Sequence, residues 1–315
     1  MITSLILALA AGIASALMFA SIISGVMFAV LLFYLAPLPL MVASLGWGAQ
    51  QAAIGGIAAG SGLGLLFGFP YMIAFVMTVA VPAWWLGHLA TLGRPALAVD
   101  GAAPATEWYP PGRLLLWIVG FASITSFAAL LTLGSDATEI RDGLRRGLGR
   151  MVGLRGGASP SGEQSGLVEA LVAIAPAAAS VAAIMTLTLN LWLAGRITLT
   201  SGRLKRSWPS LSETALPPMT LVALPVALAF CFTGGLLAMI AQVIAAALLV
   251  AYALTGLATV HALTRGRANR AVWLSSLYAV VLVFGWPAVG LVALGLTDAF
   301  FGLRLRTLSQ PNPPT

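Results

Sequence analysis

Apolar residues run through this chain in long unbroken stretches. No charged side chain occurs from Met1 to Gly87. The runs are about 20 residues long, the length a helix needs to cross the hydrocarbon core of a bilayer. Strands of a membrane barrel would alternate polar and apolar at a period of two, which these runs do not. Breaks at Ser21–Ser24, Gly46-Trp47-Gly48 and Gly68-Phe69-Pro70 predict four spans, at about 2–20, 24–45, 50–68 and 71–92. A polar loop with Asp100, Glu107 and Pro110-Pro111 leads to a fifth span at about 114–134. Further spans follow at about 168–195, with Pro176 expected to bend it, and at about 216–233 and 236–263. The stretch 271–303 is long for one ordinary crossing. Trp286-Pro287 at its middle favours two short helices, with a single span or a re-entrant segment as the alternatives. The pattern therefore predicts an all-α fold, a polytopic transmembrane helix bundle of about nine to ten spans.

One segment breaks the pattern. Between 135 and 165, Ile140, Leu144, Leu148 and Met151 recur at helical spacing, while Glu139, Arg141, Asp142, Arg145, Arg146 and Arg150 fill the positions between. This reads as an amphipathic helix lying at the membrane interface, followed by a flexible Gly/Ser/Pro link at 156–162.

Composition narrows the class. The chain is 315 residues long, 60% hydrophobic and 8% charged, against roughly 25% charged in soluble domains. The net charge of +7 resides in short loops between apolar runs, where topology and anionic headgroups account for it without nucleic acid. The loops at 94–113, 196–213 and 265–270 carry nine basic residues, and the amphipathic segment on the other side carries five. The positive-inside rule then puts the amino terminus and those three loops in the cytoplasm of a bacterial inner membrane. The first apolar run is read as a retained span rather than a cleaved signal. Cys231 lies alone in an apolar run and reads as a small buried hydrophobe.

Small residues recur at helix-packing intervals. Gly48, Ala52, Gly56, Gly60, Gly64 and Gly68 stand every four residues along the third span. Such a row lets helix backbones approach closely, either inside one subunit or as a docking face for another. A second row is Ala8-Gly12-Ala16 in the first span, with Ala10 and Ala14 beside it.

The order Ala36-Pro37-Leu38-Pro39-Leu40, then Gly46, Gly48 and the glycine-spaced third span, resembles the substrate-binding S components of energy-coupling-factor vitamin transporters. It also resembles the membrane subunit of the rod-shape machinery. Over its whole length, with residues 188–196 (Thr-Leu-Asn-Leu-Trp-Leu-Ala-Gly-Arg) and Gly295-Leu296-Thr297-Asp298, the chain looks most like the YybS-like family of uncharacterised bacterial membrane proteins. The S-component resemblance implies a six-span unit over 1–196; the insert at 135–165, the additional spans over 216–303 and a polar tail at 304–315 come from the apolar pattern. It also implies a ligand pocket toward the outer face and a separate transmembrane coupling subunit docked on Ala8, Ala10, Gly12, Ala14 and Ala16. The insert and the extra spans depart from that pattern.

Polar groups inside a membrane cost free energy and need a reason. Asn190 in the sixth span, Gln242 in the eighth and Asp298 in the last stretch are the candidate ligand-binding residues. The alternative for both amides is bonding between helices. For Asp298 it is an ion pair with Arg304, Arg265 or Arg196. His88 and His261 lack neighbours at ligand spacing, so no metal and no cofactor are expected. Nor does the sequence carry a P-loop, a nucleophile elbow or clustered aspartates, so no enzyme is expected. The function expected is a small-molecule binding or transport subunit without its own ATPase; the alternative is a membrane scaffold.

Overall fold

The computed structural model describes residues 2–95, 106–156, 162–209, 214–266 and 269–304. Asp100, Arg267, Arg306 and most of the expected Gly/Ser/Pro link lie outside them. Helices account for nearly everything described. They are α1 (Ile2–Ala20), α2 (Met27–Tyr34), α3 (Pro37–Trp47), α4 (Ala49–Phe67), α5 (Phe69–Phe75) and α6 (Val81–Ala90), then α7 (Pro111–Leu131), α8 (Ala137–Gly156) and α9 (Gly162–Thr200). The last four are α10 (Thr220–Phe230), α11 (Gly235–Leu263), α12 (Arg270–Phe284) and α13 (Ala288–Phe301). A small antiparallel pair, β1 (Gly93–Pro95) and β2 (Thr106–Trp108), sits in the loop after α6.

Six helical segments are long and apolar enough to cross a membrane: Ile2–Ser24, Met27–Trp47, Phe69–Ala90, Pro111–Leu131, Ser165–Thr200 and Gly235–Leu263. Helix α4 is not among them, because its glycines and two glutamines dilute its apolar character. Shorter apolar helices are α10, α12 and α13. The stretch 271–303 is two helices parted at Gly285, whose φ is 69°. The expected second span is likewise two helices. Pro37 opens α3, and a proline at that position cannot continue the bonding ladder of α2. In the fourth span, Val76–Ala80 is π-helical, just ahead of Pro82, whose missing N–H loosens the ladder. Helix α9 is continuous through Pro176 and is 39 residues long.

The chain forms two compact units. One comprises 1–121 and 185–209, the other 122–184 and 210–315, so α7 and α9 each contribute to both. In the first unit, α1 buries Ala8, Gly12, Ser15 and Phe19, at spacings of three and four. Its large apolar residues face outward, with Ile13 59% and Leu17 68% exposed. A soluble helix does the reverse; small-inside and large-outside is the arrangement for a helix in lipid. Gly12 and Gly55 bring α1 and α4 into backbone contact: a methyl group on either would overlap the other helix's main chain. Phe19 anchors an aromatic cluster with Phe33, Tyr71 and Phe75, at ring-centroid distances of 5.2, 5.3 and 5.4 Å.

In the second unit α11 and α13 pack through Gly256 and Gly295, where again an added methyl would meet the opposite backbone. Ala247, Ala251, Thr255 and Thr259, spaced four apart on α11, are all buried. Tyr252 Oη and Thr220 Oγ1 share a 2.8 Å hydrogen bond, and Ser180 Oγ donates to the carbonyl of Val243 at 2.8 Å. The start of α8 is packed as well: Ala137 and Ile140 lie against Leu130, Met239 and Val243. Asp136 caps this helix by accepting from the N–H groups of Thr138 and Glu139 at 2.7 and 2.9 Å.

Candidate functional site

The first unit contains an open groove of about 370 Å³. Helix α1 supplies Leu7, Ala10 and Ala11 to its walls, α3 supplies Leu38, Val42 and Trp47 among others, and Ile197 of α9 completes it. Every lining side chain is apolar. Binding pockets for small molecules run roughly 300–1,000 Å³ and are predominantly apolar, so both size and lining suit one. Along α3 the lining extends from Leu38 to Trp47, a rise of about 13 Å at 1.5 Å per residue. Trp47 is thus at one end.

That end is cationic. The Arg203 guanidinium stands over the Trp47 ring, 4.6 Å from its centroid, and the stem of Arg203 crosses close to Gly46. The chain is turned there by Gly202, in the left-handed region at φ 66°, while the Arg203 N–H closes α9 by donating to the Thr198 carbonyl at 2.9 Å. Arg196 faces Trp208 at 5.5 Å, and Arg206 faces Trp108 at 5.9 Å. Arg206 is buried and donates to the carbonyl of Ala90 at 2.9 Å. That bond brings the loop after α9 and the loop after α6 to the same end of the unit. Arg196 and Arg203 are exposed, and neither belongs to an ion pair among the described residues.

The three polar candidates are placed apart. Asn190 is buried at 1% exposure; its Nδ2 donates to the carbonyls of Tyr34 and Thr186, both at 2.8 Å. One bond is the local helical one and the other joins α9 to α2. Its Oδ1 has no partner among the described residues. Gln242 is half-buried on α11. Asp298 is buried and paired with Arg304: Oδ2 lies 2.6 Å from Nη2 and 2.7 Å from Nε, and Oδ1 accepts from the Arg304 N–H at 2.9 Å. None of the three lines the groove.

The small-residue rows divide by use. Ala52, Gly56 and Gly60 are buried, with Gly56 against Ala80 and Gly60 against Val76, and Gly64 lies beside Met72. Gly48 and Gly68 do something else. Their φ values of 113° and 93° mark the two ends of α4, where only glycine is unstrained. On α1, Ala8 and Gly12 are buried, Ala14 and Ala16 half-buried, and Ala10 exposed in the groove.

No group of three or more metal-binding side chains occurs among the described residues. His261 Nε2 is 2.9 Å from the Tyr278 hydroxyl, and His88 stacks beside Trp85 at 6.0 Å. On α8, Arg145 pairs with Asp142 at 2.6 Å and with Glu169 of α9 at 2.6 Å, and the Glu169 carboxylate raises the guanidinium above its usual range. Sequence reasoning missed the groove, because its walls are ordinary apolar positions. It also missed Arg203 on Trp47, since a residue after one helix meets a residue 156 positions earlier only through the fold. No family model, curated protein or solved structure matches this chain.

Proposed function

We propose that this chain is a membrane-embedded binding or transport subunit for a small molecule that presents an apolar part to the groove, without an ATPase of its own. The helices fit an integral membrane protein. Six segments are long and apolar enough to cross; the reading of nine to ten crossings adds α4, α10 and the α12–α13 pair, counted as one or two. The groove of about 370 Å³ between α1, α3 and α9 carries the reading. It is the size of a small-molecule site, and Ala10 and Ala11 keep it open. Energy for transport would come from a partner, which on the S-component resemblance is a coupling subunit with its ATPase. The cytoplasmic amino terminus and the inner-membrane location belong to this same reading, resting on the arginine count of the loops.

The test is a thermal-stability screen of the detergent-purified protein against vitamins, phospholipids and other metabolites with an apolar part. Stabilisation by one of them, lost in Ala10→Trp, supports the reading. No stabilisation by any compound overturns it. Affinity purification from the native membrane separates the scaffold alternative: a coupling subunit with its ATPase favours transport, and cell-wall or division proteins favour a scaffold.

A further inference from the structure

We infer that the occupant of this groove is an anionic phospholipid, with one acyl chain lying between α1 and α3 and the headgroup phosphate on Arg203. The inference rests on the groove reading and adds the ligand's chemical class. Two independent features of the first unit meet here. The groove offers no polar group to orient a water-soluble ligand, since its lining is apolar from Leu38 to Trp47. A purely apolar guest would need nothing more. Yet the groove ends on Trp47, and over that ring, at 4.6 Å, stands the Arg203 guanidinium.

That charge lies against the Trp47 ring face. The guanidinium carbon lies 4.6 Å from the ring centroid, and the five donors of that planar fork match phosphate geometry. Arg203 is exposed and has no carboxylate partner among the described residues. The ligand that complements an apolar slot with a cation at its mouth is an amphiphile with an apolar tail and a negative head. In a bilayer the phospholipids are the abundant molecules of that form. Basic residues near tryptophan at the membrane surface are where their headgroups lie.

The experiment is native mass spectrometry of the protein released from mixed micelles holding equal phosphatidylglycerol and phosphatidylcholine. Wild type is expected to retain phosphatidylglycerol preferentially by about fivefold, the share one basic residue contributes at a membrane surface. Arg203→Ala should retain both lipids equally, Ala10→Trp should retain neither, and inorganic phosphate in excess should displace nothing. Equal retention of the two lipids by wild type overturns the inference, as does an Arg203→Ala protein whose preference is unchanged. Displacement by inorganic phosphate assigns Arg203 to free anions and overturns it as well. If wild type shows no preference yet Ala10→Trp still abolishes retention, the groove reading survives and only the headgroup assignment falls. If Ala10→Trp changes nothing, both fall. Melting temperature checks that each variant is folded, and the wild-type comparison needs no variant.

Discussion

Asp298 and Arg304, six residues apart, close the end of α13 as a buried ion pair. The carboxylate takes the guanidinium on one oxygen and the Arg304 backbone N–H on the other, and Arg304 Nη1 reaches on to the carbonyl of Thr214 at 2.6 Å. Both residues are about 95% buried, at 5% and 6% exposure. Two isolated charges there would be costly, but this arrangement satisfies both.

Removing one member of such a pair strands the other. Asp298→Ala is expected to lower stability by about 3–5 kcal/mol. Asp298→Leu combined with Arg304→Met should cost less than the sum of the two single changes, because no charge is then left behind. Denaturant-titrated unfolding of the four proteins in detergent completes that cycle. Strict additivity would show that the pair does not interact.

The α1–α4 crossing yields a steric prediction. Gly55→Ala places a methyl group into the Ala8 carbonyl and near Leu40, so it should cost about 1–3 kcal/mol, as overpacking does. Gly62 on the same helix has open space beside it. Gly62→Ala should be neutral or stabilise by up to about 1 kcal/mol through helix propensity. The difference in melting temperature between these variants reads the packing directly.

The equivalent crossing in the second unit should behave alike. Gly256→Ala meets the Leu291 carbonyl, and Gly295→Ala meets that of Tyr252. Each is expected to destabilise by about 1–3 kcal/mol. The double variant should cost less than the sum, since one forced separation of α11 and α13 relieves both. Melting curves of the three variants check this.

Arg206 holds a backbone carbonyl from within a buried site. Arg206→Ala should remove about 1.5–3 kcal/mol, the contribution of hydrogen bonds from a charged donor. It should also raise amide exchange in the loop between α6 and α7. Arg206→Lys should recover only part, because an ammonium cannot reproduce the planar fork over Trp108.

Helix α8 depends on its cap. Asp136→Ala leaves the N–H groups of Thr138 and Glu139 without their side-chain acceptor, at a cost of about 1 kcal/mol. Faster hydrogen exchange at those amides, with α11 unchanged, is the expected signature.

Much of the fold was legible from the apolar runs, because hydrocarbon thickness sets span length and prolines and glycines set the breaks. The break in 271–303 could be read from Trp286-Pro287, though it falls at Gly285. What a helix does with its faces was less legible. A row of glycines every four residues marked α4, but spacing alone does not separate packing positions such as Gly56 and Gly60 from the helix-end positions Gly48 and Gly68. Gly55, one residue off that row, makes the closest approach to α1, and which face turns inward is decided by the neighbour. The second crossing, Gly256 with Gly295, joins residues 39 positions apart, and the small-residue row beside it, Ala247, Ala251, Thr255 and Thr259, was not read from the sequence. Asp298 with Arg304 was among the expected pairs, since a charge in an apolar run calls for the nearest opposite charge. The cap at Asp136 and the packing of Ile140 against Met239 were not foreseen. The segment's amphipathic pattern suits a protein neighbour as well as a lipid surface.

The two compact units are interlaced along the chain. The first needs residues 185–209 to complete what 1–121 begins, and the second is interrupted by that same segment. A ribosome feeding this polypeptide into the membrane therefore cannot finish the first unit before it has started the second. The early helices must wait, partly unsatisfied, until the far half of α9 emerges. Neither half can be obtained by cutting the gene once, and an insertase or chaperone that shelters incomplete helices has a defined interval in which to act.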